Sequence, residues 1–155
     1  ESTCSDPQDP HVAAWLRTNG ISRLVVGHKP CGDSPAILSA CYTGVEVISA
    51  DTSFSDTSAA DNRGGALAGV LLQGESLSVN RAVSYGVLHD GRRYEARLPT
   101  LGAAGNDADG DTLIGKQLDD GWWVKAFVPA ASSYLLCRGA GHQVEYRDMP
   151  VAAAL

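Results

Sequence analysis

Three side chains of types that handle phosphate or metal fall where the chain turns: His28, Asp51 and Arg63. His28 follows the apolar run Ile21 to Val26 and Gly27. Asp51 follows Val45-Glu46-Val47-Ile48-Ser49-Ala50, and Arg63 lies within Asp61-Asn62-Arg63-Gly64. An imidazole just past the carboxyl end of a strand in an open α/β sheet stands over the crevice where such sheets place ligands. A loop guanidinium can grip a phosphate through two parallel hydrogen bonds. Each residue also has a plainer reading. His28 can be a hydrogen-bonding surface residue of a Gly/Pro-rich loop, Asp51 an Asx turn with Thr52 and Ser53, and Arg63 a surface ion-pair partner.

The elements that must position these residues are legible upstream and around them. Asp9-Pro10 supplies a helix cap and a first-turn proline, Val12, Trp15 and Leu16 recur at helical spacing, and Asn19-Gly20 closes the segment. This predicts a short amphipathic helix with Trp15 in the core. Ile21 to Val26, β-branched and nearly all apolar, predicts a strand buried on both faces. Gly27 ends it, Pro30 holds the turn extended and Gly32 permits close backbone approach. Ser34-Pro35 then predicts a second helix start, with Ile37, Leu38 and Cys41 on one side. Helix, strand, helix, strand implies a βαβ unit and a parallel strand pair, with His28 and Asp51 on the same sheet edge.

Downstream the period changes. Leu67 to Gln73 is apolar and Ala82 to His89 mixed. Asp90-Gly91 marks a hairpin, and Tyr94, Ala96 and Leu98 alternate with Arg93, Glu95 and Arg97. Asp120-Gly121 marks another hairpin into Trp122 to Val128, where adjacent tryptophans face opposite sides of a strand. Tyr134 to Arg138 and Gln143 to Arg147 complete an antiparallel meander. The alternate acids of Asn106 to Asp111 have the look of a calcium loop, but the spacing argues against one. An EF-hand starting at Asp107 would need Gly and Glu where Thr112 and Leu118 stand.

Val25-Val26-Gly27-His28-Lys29-Pro30, followed by a strand ending in Asp51-Thr52-Ser53, resembles the last motif of the calcineurin-like metallophosphoesterases. The form is that of the diadenosine tetraphosphatase and phosphoprotein phosphatase branch, with its Gly-His-x-Pro motif. The resemblance covers roughly the first third of the chain, with weaker likeness in the meander. It implies an α/β fold, a βαβ unit followed by an antiparallel β meander, like the second half of a four-layer αββα sandwich. It also implies two divalent metal ions, without distinguishing Mn, Fe, Zn, Mg or Ni, and makes His28 a ligand of one of them. Pro30 stands where many superfamily members carry a second His. The Asp-x-His, Gly-Asp-x-x-Asp and Gly-Asn-His motifs of such enzymes are absent.

The expectation is therefore the C-terminal part of a metal-dependent phosphoesterase acting on phosphomonoesters, phosphoproteins or dinucleoside polyphosphates. An upstream half or a separate chain would supply the other ligands, and these 155 residues alone would be inactive. The start at Glu1 rather than Met fits that expectation. Residues 1–8 read as a linker, 9–150 as the phosphoesterase-like portion and 151–155 as a tail. The alternative is a non-catalytic remnant acting as a structural or binding subunit. A third reading is a metal-free phosphate site built from the His28 loop and the helix start at Ser34.

Composition bounds these readings. With 44% hydrophobic and 19% charged residues the chain is ordinary for a globular protein, and a net charge of −6 with no basic run argues against a nucleic-acid backbone as partner. Cys4, Cys31, Cys41 and Cys137 are scattered without a Cys-x-x-Cys pair, which favours reduced thiols and an intracellular, cytoplasmic location; two disulfides in a secreted protein are the alternative. No apolar run is long enough to span a bilayer.

Overall fold

The computed structural model describes residues 9–28, 32, 34–38, 44–52, 67–74, 80–101, 110–140 and 143–153. Arg63, most of the acidic loop before Asp111, the linker 1–8 and the last two residues lie outside them.

Helix α1 (Pro10–Thr18) begins as its sequence dictates: the Asp9 carboxylate accepts the His11 N–H at 2.7 Å, satisfying one of the first-turn donors, and Pro10 needs no acceptor there. At its end Gly20 takes φ +73° and the Ile21 N–H donates to the Leu16 carbonyl at 2.9 Å. Its buried residues are Ala13 and Leu16. Trp15 is instead 62% exposed and Val12 52% exposed, which corrects the assignment of Trp15 to the core. Val12/Trp15 and Ala13/Leu16 are neighbouring i, i+3 pairs about 100° apart around the helix, so seating one turns the other outward.

Strands β1 (Arg23–Val26), β2 (Ala36–Leu38) and β3 (Glu46–Ser49) form a mixed sheet in the order β1-β3-β2. β1 and β3 are parallel, as expected, in register from Arg23↔Glu46 to Val26↔Ser49. Two expectations fail. The segment after Ser34-Pro35 is not helical: Ala36–Leu38 runs antiparallel to β3, with Ile37 opposite Ile48. Ile37 is 3% exposed and Ile48 fully buried, so the core contact Ile37 makes as a strand residue outweighs a short helical spacing. Nor is β1 the strand buried on both faces, since it lies at the edge of its sheet and β3 at the centre. β3 is buried at every position, while Val25 and Val26 on β1 are 46% and 40% exposed.

Strands β4 (Leu67–Gln73), β5 (Asn80–Val87), β6 (Arg93–Leu101), β7 (Trp123–Val128), β8 (Ser133–Ala140) and β9 (Gln143–Pro150) make a six-stranded antiparallel meander in sequential order. Both Asp-Gly turns are where the sequence puts them. Gly91 and Gly121 adopt φ +84° and +82° and donate back to Leu88 and Leu118, each at 2.9 Å. Tyr94, Ala96 and Leu98 are buried between more exposed Arg93, Glu95 and Arg97, the alternation of a sheet with one covered face.

Ile37 and Ile48 pack into one buried cluster with Ala82, Ala96, Leu98, Ile114, Trp122, Val124 and Leu136, so the small sheet lies against the large one. α1 packs Ala13 and Leu16 onto Val45, Ile21 and Leu24. Among the described residues the fold is mostly sheet with few helices. No helix among them is long and apolar enough to cross a membrane.

Candidate functional site

β1 and β3, being parallel, end side by side. The chain leaves β1 through Gly27 into His28, which takes φ +77° although it is not glycine. A non-glycine residue in the left-handed region costs about 1 kcal/mol or more, so its surroundings must hold it. The holding group is Asp51, just beyond β3: its Oδ2 accepts the His28 backbone N–H at 3.0 Å. His28 is exposed and hydrogen-bonded through its backbone, as its plain reading has it, while this bond to Asp51 is not one that an Asx turn describes. Asp51 ties to a residue 23 positions away, and the bond closes the mouth of the parallel pair.

The opposite end of the same two strands is closed by Arg23 and Glu46, whose buried side chains form an ion pair. Burial pushes the Glu46 carboxyl above its ordinary value of 4.5, against the lowering pull of Arg23. The two pairs share one offset of 23 residues, which is the register of the parallel pair. That shared offset was a usable signal in the sequence: a charged residue stands five positions before each candidate, Arg23 before His28 and Glu46 before Asp51.

Gly32, the next described residue, meets the large sheet. Gly32 is buried with φ +73°, and a Cβ there would overlap the Tyr146 hydroxyl and lie 2.8 Å from Tyr146 Cζ and 3.6 Å from Lys125 Nζ. The close approach expected at Gly32 is thus made to β9 and β7. Ser34 Oγ, buried, has no hydrogen-bond partner among the described residues, and no helix starts there, which removes the helix-terminus phosphate site. A cavity of about 160 Å³ separates β2 from β7, β8 and β9, lined in part by Leu38, Trp123, Lys125 and Cys137; neither His28 nor Asp51 lines it. Cys137 is a buried thiol outside any disulfide.

Sequence reasoning missed how the tryptophan pair is used. Trp122 is 8% exposed and lies between the guanidinium groups of Arg138 and Arg147, 4.7 and 4.6 Å from its ring centre. Each arginine is held by a carboxylate, Glu145 for Arg138 and Asp120 for Arg147. This is a stacked structural clamp.

The structure therefore brings His28 and Asp51 together and does not describe Arg63. The contact that joins them is between the Asp51 carboxylate and the His28 backbone, not its imidazole. No group of three or more His, Cys, Asp or Glu among the described residues is placed to hold an ion. No family model, no curated protein and no solved structure matches the chain.

Proposed function

We propose that this chain is the C-terminal part of a metal-dependent phosphoesterase, with an arrangement like the second half of an αββα sandwich. The observation that supports the reading is the His28–Asp51 bond at the carboxyl ends of two parallel strands, where an open sheet presents ligand-binding loops. His28 would hold one of two divalent ions, with Asp51 fixing the loop that carries it and Arg63 a further contact for a phosphoryl group. When bound, such ions polarise the phosphoryl group and activate a water. This chain's own part is to present an imidazole from a fixed backbone position. Further ligands, and the acid for the leaving group, would come from polypeptide beyond these residues or from a separate chain. The substrate class is a phosphorylated small molecule or protein. The scattered cysteines and the buried Cys137 thiol accord with a reducing, intracellular setting.

The test is metal content and hydrolysis of p-nitrophenyl phosphate, measured on the protein isolated with all attached or co-purifying polypeptide, in wild type and His28→Ala. Both should fall together, metal content by about half if one of two ions is lost. Metal content unchanged in His28→Ala overturns the reading. The small donor set among the described residues favours the second reading, a non-catalytic binding or structural subunit. A folded wild type with neither bound metal nor activity would establish it.

A further inference from the structure

We infer that the cavity between β2 and the large sheet is a binding site for a small aromatic carboxylate, one ring bearing a single acidic group. At about 160 Å³ it matches the roughly 150 Å³ apolar cavity that holds a benzene ring. β2 forms one wall, with Ile37 and Leu38 among its residues. On the other wall Trp123 is directly opposite Cys137, Gly139 is directly opposite Val144, and Cys137 and Gly139 are two apart on β8. Residues so related share one face of a sheet, so these four positions make a single apolar floor. Trp123, partly buried, offers a ring face for stacking. Gly139, itself exposed, leaves the mouth open: a Cβ there would meet nothing within 4 Å.

The acidic group follows from the charges around this floor. Among the described residues two cations and no carboxylate line the cavity. Arg138 is one, and its guanidinium is already committed, 4.7 Å from the Trp122 ring centre and paired with Glu145. Lys125, 3% exposed, is the other. The register of β7 against β8 shifts between Val124 and Ala126, so Lys125 is the extra residue of a bulge, a device that re-aims a side chain. Its ammonium lies 3.6 Å from the position a Gly32 Cβ would take, a position that the Tyr146 hydroxyl overlaps. Tyr146 is directly opposite Cys137, so the ammonium is on the floor's side of the sheet. An ammonium carries three N–H donors, so beside the contacts Lys125 already makes it can donate to a ligand oxygen. In apolar surroundings a charge-assisted bond of that kind is strong, and a cationic ligand is turned away.

The test is isothermal titration calorimetry on the whole protein, with benzoate as the probe and benzyl alcohol, a similar ring without the charge, as its comparison. Wild type should bind benzoate with a Kd of roughly 1 mM or tighter, and benzyl alcohol about tenfold more weakly. Gly139→Leu places its side chain in open space, so the fold should stand while binding of both probes is lost. Lys125→Met keeps the length of the stem and removes the ammonium. It should bring benzoate down to the level of benzyl alcohol and leave benzyl alcohol unchanged. Thermal unfolding shows whether each variant is folded. Should Lys125→Met not fold, Gly139→Leu and the ratio of the two probes in wild type decide the matter. No benzoate binding by wild type at about 10 mM, equal binding of the two probes by wild type, or unchanged benzoate binding in Gly139→Leu or in folded Lys125→Met overturns the inference.

Discussion

Asp51 Oδ2 and the His28 backbone N–H, 3.0 Å apart, join the carboxyl ends of β1 and β3 and hold His28 in a left-handed conformation. Removing the acceptor in Asp51→Ala should cost about 1 kcal/mol, the net worth of a typical hydrogen bond. That corresponds to a fall of about 2–4 °C in the unfolding midpoint of a chain this size. Asp51→Asn, which keeps an acceptor oxygen, should recover most of it. His28→Gly should gain stability, since it relieves the left-handed strain. Thermal unfolding of the three variants checks this.

Arg23 and Glu46 form a buried ion pair at the other end of the same strands, and breaking it is expected to cost more than losing both partners. Glu46→Ala leaves a buried guanidinium facing a gap and should destabilise by about 3 kcal/mol or more, while Arg23→Met with Glu46→Leu should be far milder. The folded-state value of Glu46 lies above its ordinary 4.5, so the protein takes up a proton there on folding. Its contribution is fully present below about 4.5 and is lost as pH rises through the folded value. Wild type should therefore lose stability relative to Glu46→Gln as pH rises through that window. Urea unfolding of both proteins at several pH values reads the difference.

Tyr134 is pushed up to about 12, first by burial and then by its hydrogen bond and proximity to the Asp111 carboxylate. The folded value exceeds the ordinary 10.0, so the stability this group contributes is intact below 10 and is lost as pH rises toward 12. Ultraviolet titration of the phenols should show one tyrosine ionising late, absent in Tyr134→Phe and shifted toward 10 in Asp111→Asn. A late ionisation that survives Tyr134→Phe would assign it to another residue.

Leu16 and Trp15 are neighbours on α1 with opposite fates, 7% and 62% exposed. Leu16→Ala should cost about 2–4 kcal/mol through the cavity it leaves against Val45 and Leu24. Trp15→Lys should change stability by less than about 0.5 kcal/mol, as surface substitutions do. Denaturant midpoints of the two variants separate the seated stripe from the exposed one.

Much of the fold is local and was readable. Asp9-Pro10 starts a helix because a cap and a proline act within one turn. Asp90-Gly91 and Asp120-Gly121 turn the chain because only glycine takes φ above +80° without strain there. Tyr94, Ala96 and Leu98 declare their face by alternation. The pairing of His28 with Asp51 was readable as far as the sheet edge they share, since two parallel strands must end together.

By itself, then, the sequence determined turns, caps, the meander and the side of the sheet on which the candidate residues gather. The tertiary structure alone decided which strand is central, that Ala36–Leu38 pairs with β3 instead of coiling, that Leu16 rather than Trp15 faces inward, and that Gly32 meets Tyr146. The reason is the same in each case. These outcomes depend on which apolar surfaces find one another across long stretches of chain, and burial, unlike a cap or a turn, carries no local marker of its partner.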